Sequence, residues 1–435
     1  MATASVPDSA RSIDEDWILA GTLDGRRCYP ALDDTIAGLP HLWRLVGELV
    51  MSGITRVFVV SDHPVARVLV AGLESDPRFA QARVTVTTEP PAGGARDGIV
   101  VLRGDRIFHR DIPKAAIGAW RQGVARLGRV TGDDAVVACD RETAAQLAAH
   151  ARQPTGLAAA MAAASDVATA PAPYLGFTAA VQNRAQLRAA ERRLVWSLRK
   201  SADGIASKLL NRRISLPLTW LLMRTGALPN HVTLCALACA LAGAIVIGQG
   251  GYAAAAAGML LVELGSIVDG IDGELARLKF LFSRTGQWLD TVVDDIANVC
   301  YSTGIMLNLT AAGVTWAQPL WLAATIGFVL TQSSQYWLIK RVYHSGDLAA
   351  IPWAFQSTAF LSQRPRGPWP WLKATAPKLL KRDSAVTIFT IFALAGHLDW
   401  VLVGYSTGAL VFFAVFFVQF ARNAGAVRRA LRAGQ

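Results

Sequence analysis

Asp269–Asp294 reads DGIDGELARLKFLFSRTGQWLDTVVD, and it sets Asp269, Asp272, Asp290 and Asp294 within sequence that is otherwise apolar enough for a membrane. At about 100° per residue, Asp269, Asp272, Gly273 and Ala276 share roughly one third of a helix circumference. Gly286, Asp290 and Asp294 form a narrow stripe on a following helix. Two antiparallel helices joined by the LKFLFSR turn can therefore present all four acids to one another. Bare carboxylates facing each other in a low-dielectric medium repel, so cations are needed to keep them charged. Ligands that are all oxygens suit hard divalent ions, Mg2+ first and Mn2+ second. A purely structural patch of ion pairs would instead need matching cations on the facing helices.

Outward from this stretch, the chain has 435 residues, 52% of them hydrophobic, and a formal charge of +11. One core rarely grows past about 250–300 residues, so at least two domains are expected. The basic residues cluster beside apolar spans and not on one soluble face, which points to a membrane surface and away from nucleic acid. Cys28, Cys139, Cys235, Cys239 and Cys300 make an odd set without zinc-type spacing, as expected of a reducing compartment. The opening MATASVPDSARSIDEDW is polar and holds no apolar signal core. Insertion is therefore expected from the later spans, with the first domain cytoplasmic.

Six apolar segments are expected to span: 231–249, 252–281, 285–312, 315–341, 384–399 and 401–423, the fifth being short for the roughly 20 residues a bilayer core requires. GQGG, NLTAAGVTWAQP and GHLDW carry no Lys or Arg, whereas the alternate turns hold Lys279, Arg284, Lys340, Arg341, Lys381 and Arg382. The positive-inside rule then puts both termini and the acidic site on the cytoplasmic face of a cell membrane. Between His344 and Arg382 the chain is too polar and proline-rich to span, and Trp353, Trp369 and Trp371 read as interfacial anchors. Asp383 reads as the cap of the fifth segment.

Upstream, 191–230 reads as an amphipathic juxtamembrane segment. It mixes Trp196, Leu210 and Trp220 with Arg199, Lys208, Arg212, Arg213 and Arg224. Arg212 and Arg213 could meet a substrate phosphate, although attraction to anionic headgroups explains them more simply. Residues 1–190 alternate short apolar runs (WILAG, TRVFVVSD, RVTVTTE, GIVVLRGD, DAVVACD) with helical stretches, which predicts an α/β domain with a largely parallel sheet. The Ala-rich 154–173 carries no chemistry of its own.

The spacing at the centre also matches a family pattern: Asp269, Asp272-Gly273, Ala276-Arg277, Gly286, Asp290 and Asp294 stand at fixed gaps of two, two, eight, three and three residues. It resembles the CDP-alcohol phosphotransferase family of integral membrane enzymes, with no departure at any fixed position. The resemblance implies transfer of a substituted phosphate from a CDP-alcohol, either CDP-diacylglycerol or a soluble one, to an acceptor alcohol with release of CMP. It makes Asp269, Asp272 and Asp290 the principal ligands of two Mg2+ or Mn2+ ions, and Asp294 the general base, which can also touch a metal. Asp269, Gly273, Ala276, Arg277 and Gly286 become the CDP contacts, and a homodimer in the bilayer is implied. Lys279, Arg284 and Arg341 are candidates for an acceptor phosphate, such as that of an inositol phosphate, or serve only as topology signals.

The words ADG, LNRRIS and PNHVT further resemble members fused to an inositol-phosphate cytidylyltransferase. GLPHLWRLVGELVMSGITRVFVV and LRGDRIF are similar to pieces of a sugar-nucleotide nucleotidyltransferase, with Asp105 at the place of a metal-binding aspartate. The phosphate loop departs from that pattern: LAGTLDGRRCYPALDD has Gly21, Gly25, Arg26 and Arg27 at the wrong spacing. The first domain is therefore expected to be nucleotidyltransferase-like without its chemistry. The alternative is a bifunctional enzyme that makes its own CDP-alcohol from CTP. A carrier with an acidic ion site is the third reading, but no repeated halves are evident.

Overall fold

The computed structural model describes residues 13–19, 31–88, 98–122, 127–132, 135–151, 167–199, 210–343 and 382–425. The chain divides into two compact units. The first comprises Met1–Arg199, Met223–Thr225 and Leu278–Phe280; the second comprises Lys200–Leu222, Gly226–Arg277 and Leu281–Gln435.

The first unit runs β1 (Ile13–Leu19), a hairpin of β2 (Thr35–Ile36) and β3 (Leu39–Pro40), α1 (His41–Val50), β4 (Arg56–Val60) and α2 (Pro64–Glu74). It continues with β5 (Arg83–Thr87), β6 (Gly98–Arg103), β7 (Arg106–Phe108), α3 (Ile112–Gln122), β8 (Leu127–Val130), β9 (Val136–Asp140), α4 (Arg141–Ala151), β10 (Val167–Ala170), β11 (Thr178–Ala180) and α5 (Arg184–Trp196). Seven strands form one sheet in the order β10-β8-β9-β6-β1-β4-β5. Strand β6 is apolar and buried from Gly98 to Leu102, where both its faces are covered, and only its last residue, Arg103, is charged. Val100 and Leu102 join a core with Leu42, Leu45 and Leu73, while Ile99 and Val101 pack with Leu127, Val137 and Leu147.

The expectation of a largely parallel sheet needs correction. β1 is parallel to β4 and β6, β4 to β5, and β8 to β10, but β9 is antiparallel to both of its neighbours. The link from β8 to β9, residues 131–135, is too short for the crossover of a dozen or more residues that a parallel return requires. A buried apolar run such as Val136–Asp140 carries no sign of its direction.

The second unit holds α6 (Arg212–Leu222), α7 (Pro229–Gly248), α8 (Tyr252–Lys279, whose last two residues count with the first unit), α9 (Arg284–Ala311), α10 (Ala317–Leu338), α11 (Arg382–Leu394) and α12 (Leu398–Arg422). Helices stand at all six expected segments. Three of them, α7, α8 and α12, are long and apolar enough to cross a membrane. Segment 384–399 is corrected to the thirteen residues of α11. Gly396, at φ +86°, takes the left-handed conformation that ends a helix, and His397 N–H bonds back to the Phe392 carbonyl at 2.9 Å. Because α11 begins at Arg382, Asp383 lies in its first turn and is not its cap. The stretch 344–381, with His344 and the three tryptophans, lies outside the described residues, as do residues 20–30.

Small residues bring these helices together. A Cβ on Gly258 of α8 would stand 2.6 Å from the Gly243 carbonyl oxygen of α7, and one on Gly243 would stand 2.7 Å from that of Gly258. Such backbone contact is how helices associate where lipid offers no hydrophobic driving force. Asn308 of α9 ties the end of α7, donating to the Ile247 and Gly251 carbonyls at 2.8 and 3.2 Å. Cys139, Cys235, Cys239 and Cys300 are unpaired.

Candidate metal and donor site

Helix α8 carries Asp269 and Asp272 one turn apart, and α9 carries Asp290. One carboxylate oxygen from each of the three lies within 4.8 Å of the others. Asp272 is buried and accepts from the Thr233 hydroxyl of α7, which fixes its rotamer. Oδ1 of Asp269 is buried with no hydrogen-bond partner. An orphaned buried carboxylate oxygen among converging carboxylates fits a hard divalent cation, which supplies the missing positive partner.

Asp294 lies one turn beyond Asp290. It accepts a hydrogen bond from Nη1 of Arg382 in α11, and the same nitrogen stands 3.4 Å from Oδ2 of Asp269. Its neighbour Asp295 points elsewhere: both its oxygens accept from Nε2 of Gln332 in α10, at 2.7 and 2.8 Å, and Oδ2 also accepts from the Tyr336 hydroxyl. Adjacent helical residues are rotated by about 100°, so only one of this pair can face α8.

Around the acids, Gly273 leaves room for Arg277, whose Nη1 would be 3.1 Å from a Cβ at that position. Ser283 caps α9 by accepting from the Gly286 amide at 2.9 Å. A Cβ on Gly286 would come within 2.7 Å of that hydroxyl and 3.2 Å of Asn230 Oδ1, so glycine keeps this wall low. Ala276 is partly exposed, and Arg284 and Arg341 are exposed. Lys279 lies in the first unit, where its ammonium donates to the Thr225 carbonyl at 2.8 Å.

Three residues have roles that their place in the sequence does not announce. Thr233 lies within the word PNHVT, 39 residues before Asp272, and nothing in that word marks its hydroxyl as the acid's partner. Arg382 reads in the sequence as a topology charge, yet it reaches Asp294. Arg212 neither meets a headgroup nor stands open to a substrate phosphate, because it is buried in an ion pair with Glu274 of α8.

In the first unit, Asp105 is held on both oxygens by Arg103, at 3.0 and 2.8 Å. Burial works against its charge, but Arg103, Arg106 and a backbone hydrogen bond together more than offset this and leave the carboxyl below its usual range.

Residues 226–363 match the family model described as CDP-alcohol phosphatidyltransferase. The chain carries a CDP-alcohol phosphatidyltransferase domain. Proteins named bifunctional IPC transferase and DIPP synthase are similar to it. The one from Thermococcus kodakarensis is 33% identical over 169 residues, covering 37% of this chain and 35% of that protein. The one from Aquifex aeolicus is 29% identical over 133 residues, covering 30% and 29%. The chain thus spans about a third of the length of these curated relatives. A solved phosphatidylinositol phosphate synthase of Mycobacterium tuberculosis with CDP-DAG bound aligns with a TM-score of 0.32 at 19% identity, over 49% of this chain and 94% of that one. Every acid of the cluster falls inside the stretch matched by the phosphatidyltransferase model.

Proposed function

We propose that this protein transfers a substituted phosphate group from a CDP-alcohol to an acceptor alcohol and releases CMP. The observation that carries the reading is the convergence of Asp269, Asp272 and Asp290 within 4.8 Å. In this reading residues 231–435 form a domain of six membrane helices with the acids toward the cytoplasm, 191–230 lie at the lipid surface, and 1–190 form the cytoplasmic domain. The donor is CDP-diacylglycerol or a soluble CDP-alcohol, the acceptor an alcohol such as an inositol phosphate, and the working form a homodimer.

Asp269, Asp272 and Asp290 would hold two Mg2+ or Mn2+ ions. When bound, such ions neutralise a pyrophosphate and polarise its phosphorus. Asp294 takes the proton of the acceptor hydroxyl as its oxygen attacks the phosphorus distal to cytidine. A new phosphodiester bond forms, the bond to the bridging oxygen breaks, and CMP leaves. Arg382 orients Asp294 for this role, since its guanidinium binds that carboxylate directly. Gly273, Ala276 and Gly286 admit the nucleotide close to the backbone. Arg277, lying over Gly273, is placed to meet donor phosphates.

Purified full-length protein given CDP-diacylglycerol or soluble CDP-alcohols and a panel of acceptors should release CMP with Mg2+ or Mn2+ and none with EDTA. Mass spectrometry would identify the phosphodiester. Metal-independent release, or none under any combination, would count against the reading.

A second reading, in which the first unit also makes the CDP-alcohol from CTP, is favoured by the word bifunctional in the relatives' names. The double hold of Arg103 on Asp105 opposes it. Pyrophosphate release from CTP and a polyol phosphate by the full chain would decide for it.

A further inference from the structure

We propose that Glu274 is a positioning residue, which sets the rotation of α8 and so the geometry of the cation and donor site; this rests on the transferase reading. Glu274 occupies a position between Asp272-Gly273 and Ala276-Arg277 to which the family pattern gives no role. Its residue is 0% exposed. Oε1 accepts from Nη1 of Arg212 and from the Ser215 hydroxyl at 2.7 Å, and Oε2 accepts from the Thr219 hydroxyl. Arg212, Ser215 and Thr219 share one stripe of α6, so a single helix face supplies three donors to one carboxylate. The opposite face of α6 exposes Ile214, Leu218 and Leu221, an arrangement that suits a lipid surface.

This arrangement exceeds what two helices need to stay together. Apolar residues of similar volume in place of a buried ion pair are often neutral or stabilising. Directional hydrogen bonds add a defined azimuth, which apolar contact leaves loose. Glu274 and Asp272 are two residues apart, about 200° around the helix, so an anchor on one side aims the acids on the other. A helix with its side chains is about 10–12 Å across, so a turn of about 20° moves a carboxylate by about 2 Å. The three ligand oxygens lie within 4.8 Å of one another, and a displacement of that size would open the cluster.

The experiment compares wild type with the double variant Arg212→Met/Glu274→Met, both full-length in lipid nanodiscs. Thermal midpoint, Mn2+ affinity by electron paramagnetic resonance, and kcat, donor KM and acceptor KM from CMP release are measured. The double variant should keep its midpoint while Mn2+ affinity falls roughly 10- to 100-fold, the cost of losing groups that orient metal ligands. Donor KM should rise, and acceptor KM should not. A double variant with wild-type Mn2+ affinity and donor KM overturns the proposal and leaves Glu274 a fastener. Should that variant unfold, Ser215→Ala/Thr219→Val keeps the ion pair and tests the same point, with unchanged Mn2+ affinity overturning it. Wild-type protein that binds no Mn2+ overturns both this proposal and the transferase reading.

Discussion

Arg382 donates to Asp294 from a helix that begins 88 residues further along the chain, and its Nη1 is 3.4 Å from Asp269. A fixed positive charge thus stands where divalent ions and a proton-accepting carboxylate are expected to work. Arg382→Gln should bind Mn2+ about tenfold more tightly, since a unit charge that repels the ions is gone from a partly buried site. Transfer should fall at the same time, because Asp294 loses the group that aims it. Mn2+ titration beside CMP release checks both directions, and weaker Mn2+ binding would refute the assignment.

Asp294→Asn keeps the shape of the side chain but cannot accept the acceptor's proton. Turnover should drop by about 10²–10⁴-fold, the range a general base contributes, with the thermal midpoint retained. Asp269→Asn should additionally weaken Mn2+ binding. Wild-type turnover in the Asp294 variant would remove the base.

Gly258→Val places bulk 2.6 Å from the Gly243 carbonyl oxygen. Overpacking of this kind costs about 1–3 kcal/mol, and here the neighbour is backbone that cannot move aside. Thermal unfolding in detergent should show a lowered midpoint, whereas Gly408→Val, a position with nothing within 4 Å, should leave it unchanged.

The acidic spacing made the helix, turn and helix of the site legible, because carboxylates repeating at 3.6 residues in apolar sequence are costly unless they share a face that holds cations. The partners of those acids were not legible. Arg212 meets Glu274 across 62 residues and Thr233 meets Asp272 across 39, and a lone Arg or Thr in sequence does not state its partner. Asp295 illustrates the converse: adjacent to Asp294 and chemically identical, it is assigned elsewhere only by Gln332 and Tyr336. In the first unit the apolar runs marked the strands, but the direction of β9 depended on the length of a link.

The first unit should show two opposed pH dependences. Burial pushes the His41 imidazole from its ordinary 6.5 down to about 4, and pushes the Glu48 carboxyl from 4.5 up to about 7. For His41 the unfolded chain binds the extra proton, so stability falls as pH drops from 6.5 to about 4. For Glu48 the folded chain binds it, so stability falls as pH rises from 4.5 to about 7. Each slope is about 1.4 kcal/mol per pH unit, and between about 4.5 and 6.5 they nearly cancel. His41→Asn should therefore weaken α1 as pH rises, and Glu48→Gln should weaken it as pH falls. Hydrogen-exchange protection of the α1 peptide in the full chain, corrected for intrinsic rates, reports both, and parallel profiles in the two variants would contradict the pairing.

Asp269, Asp272, Asp290 and Asp294 leave the ribosome in one short stretch, while Arg382 is still to be synthesised. In the membrane reading, the nascent protein therefore holds Asp269 and Asp294 before the guanidinium that pairs with both has been made. A chain truncated ahead of α11 would leave those two carboxylates without that guanidinium, a chemical mark of its incompleteness.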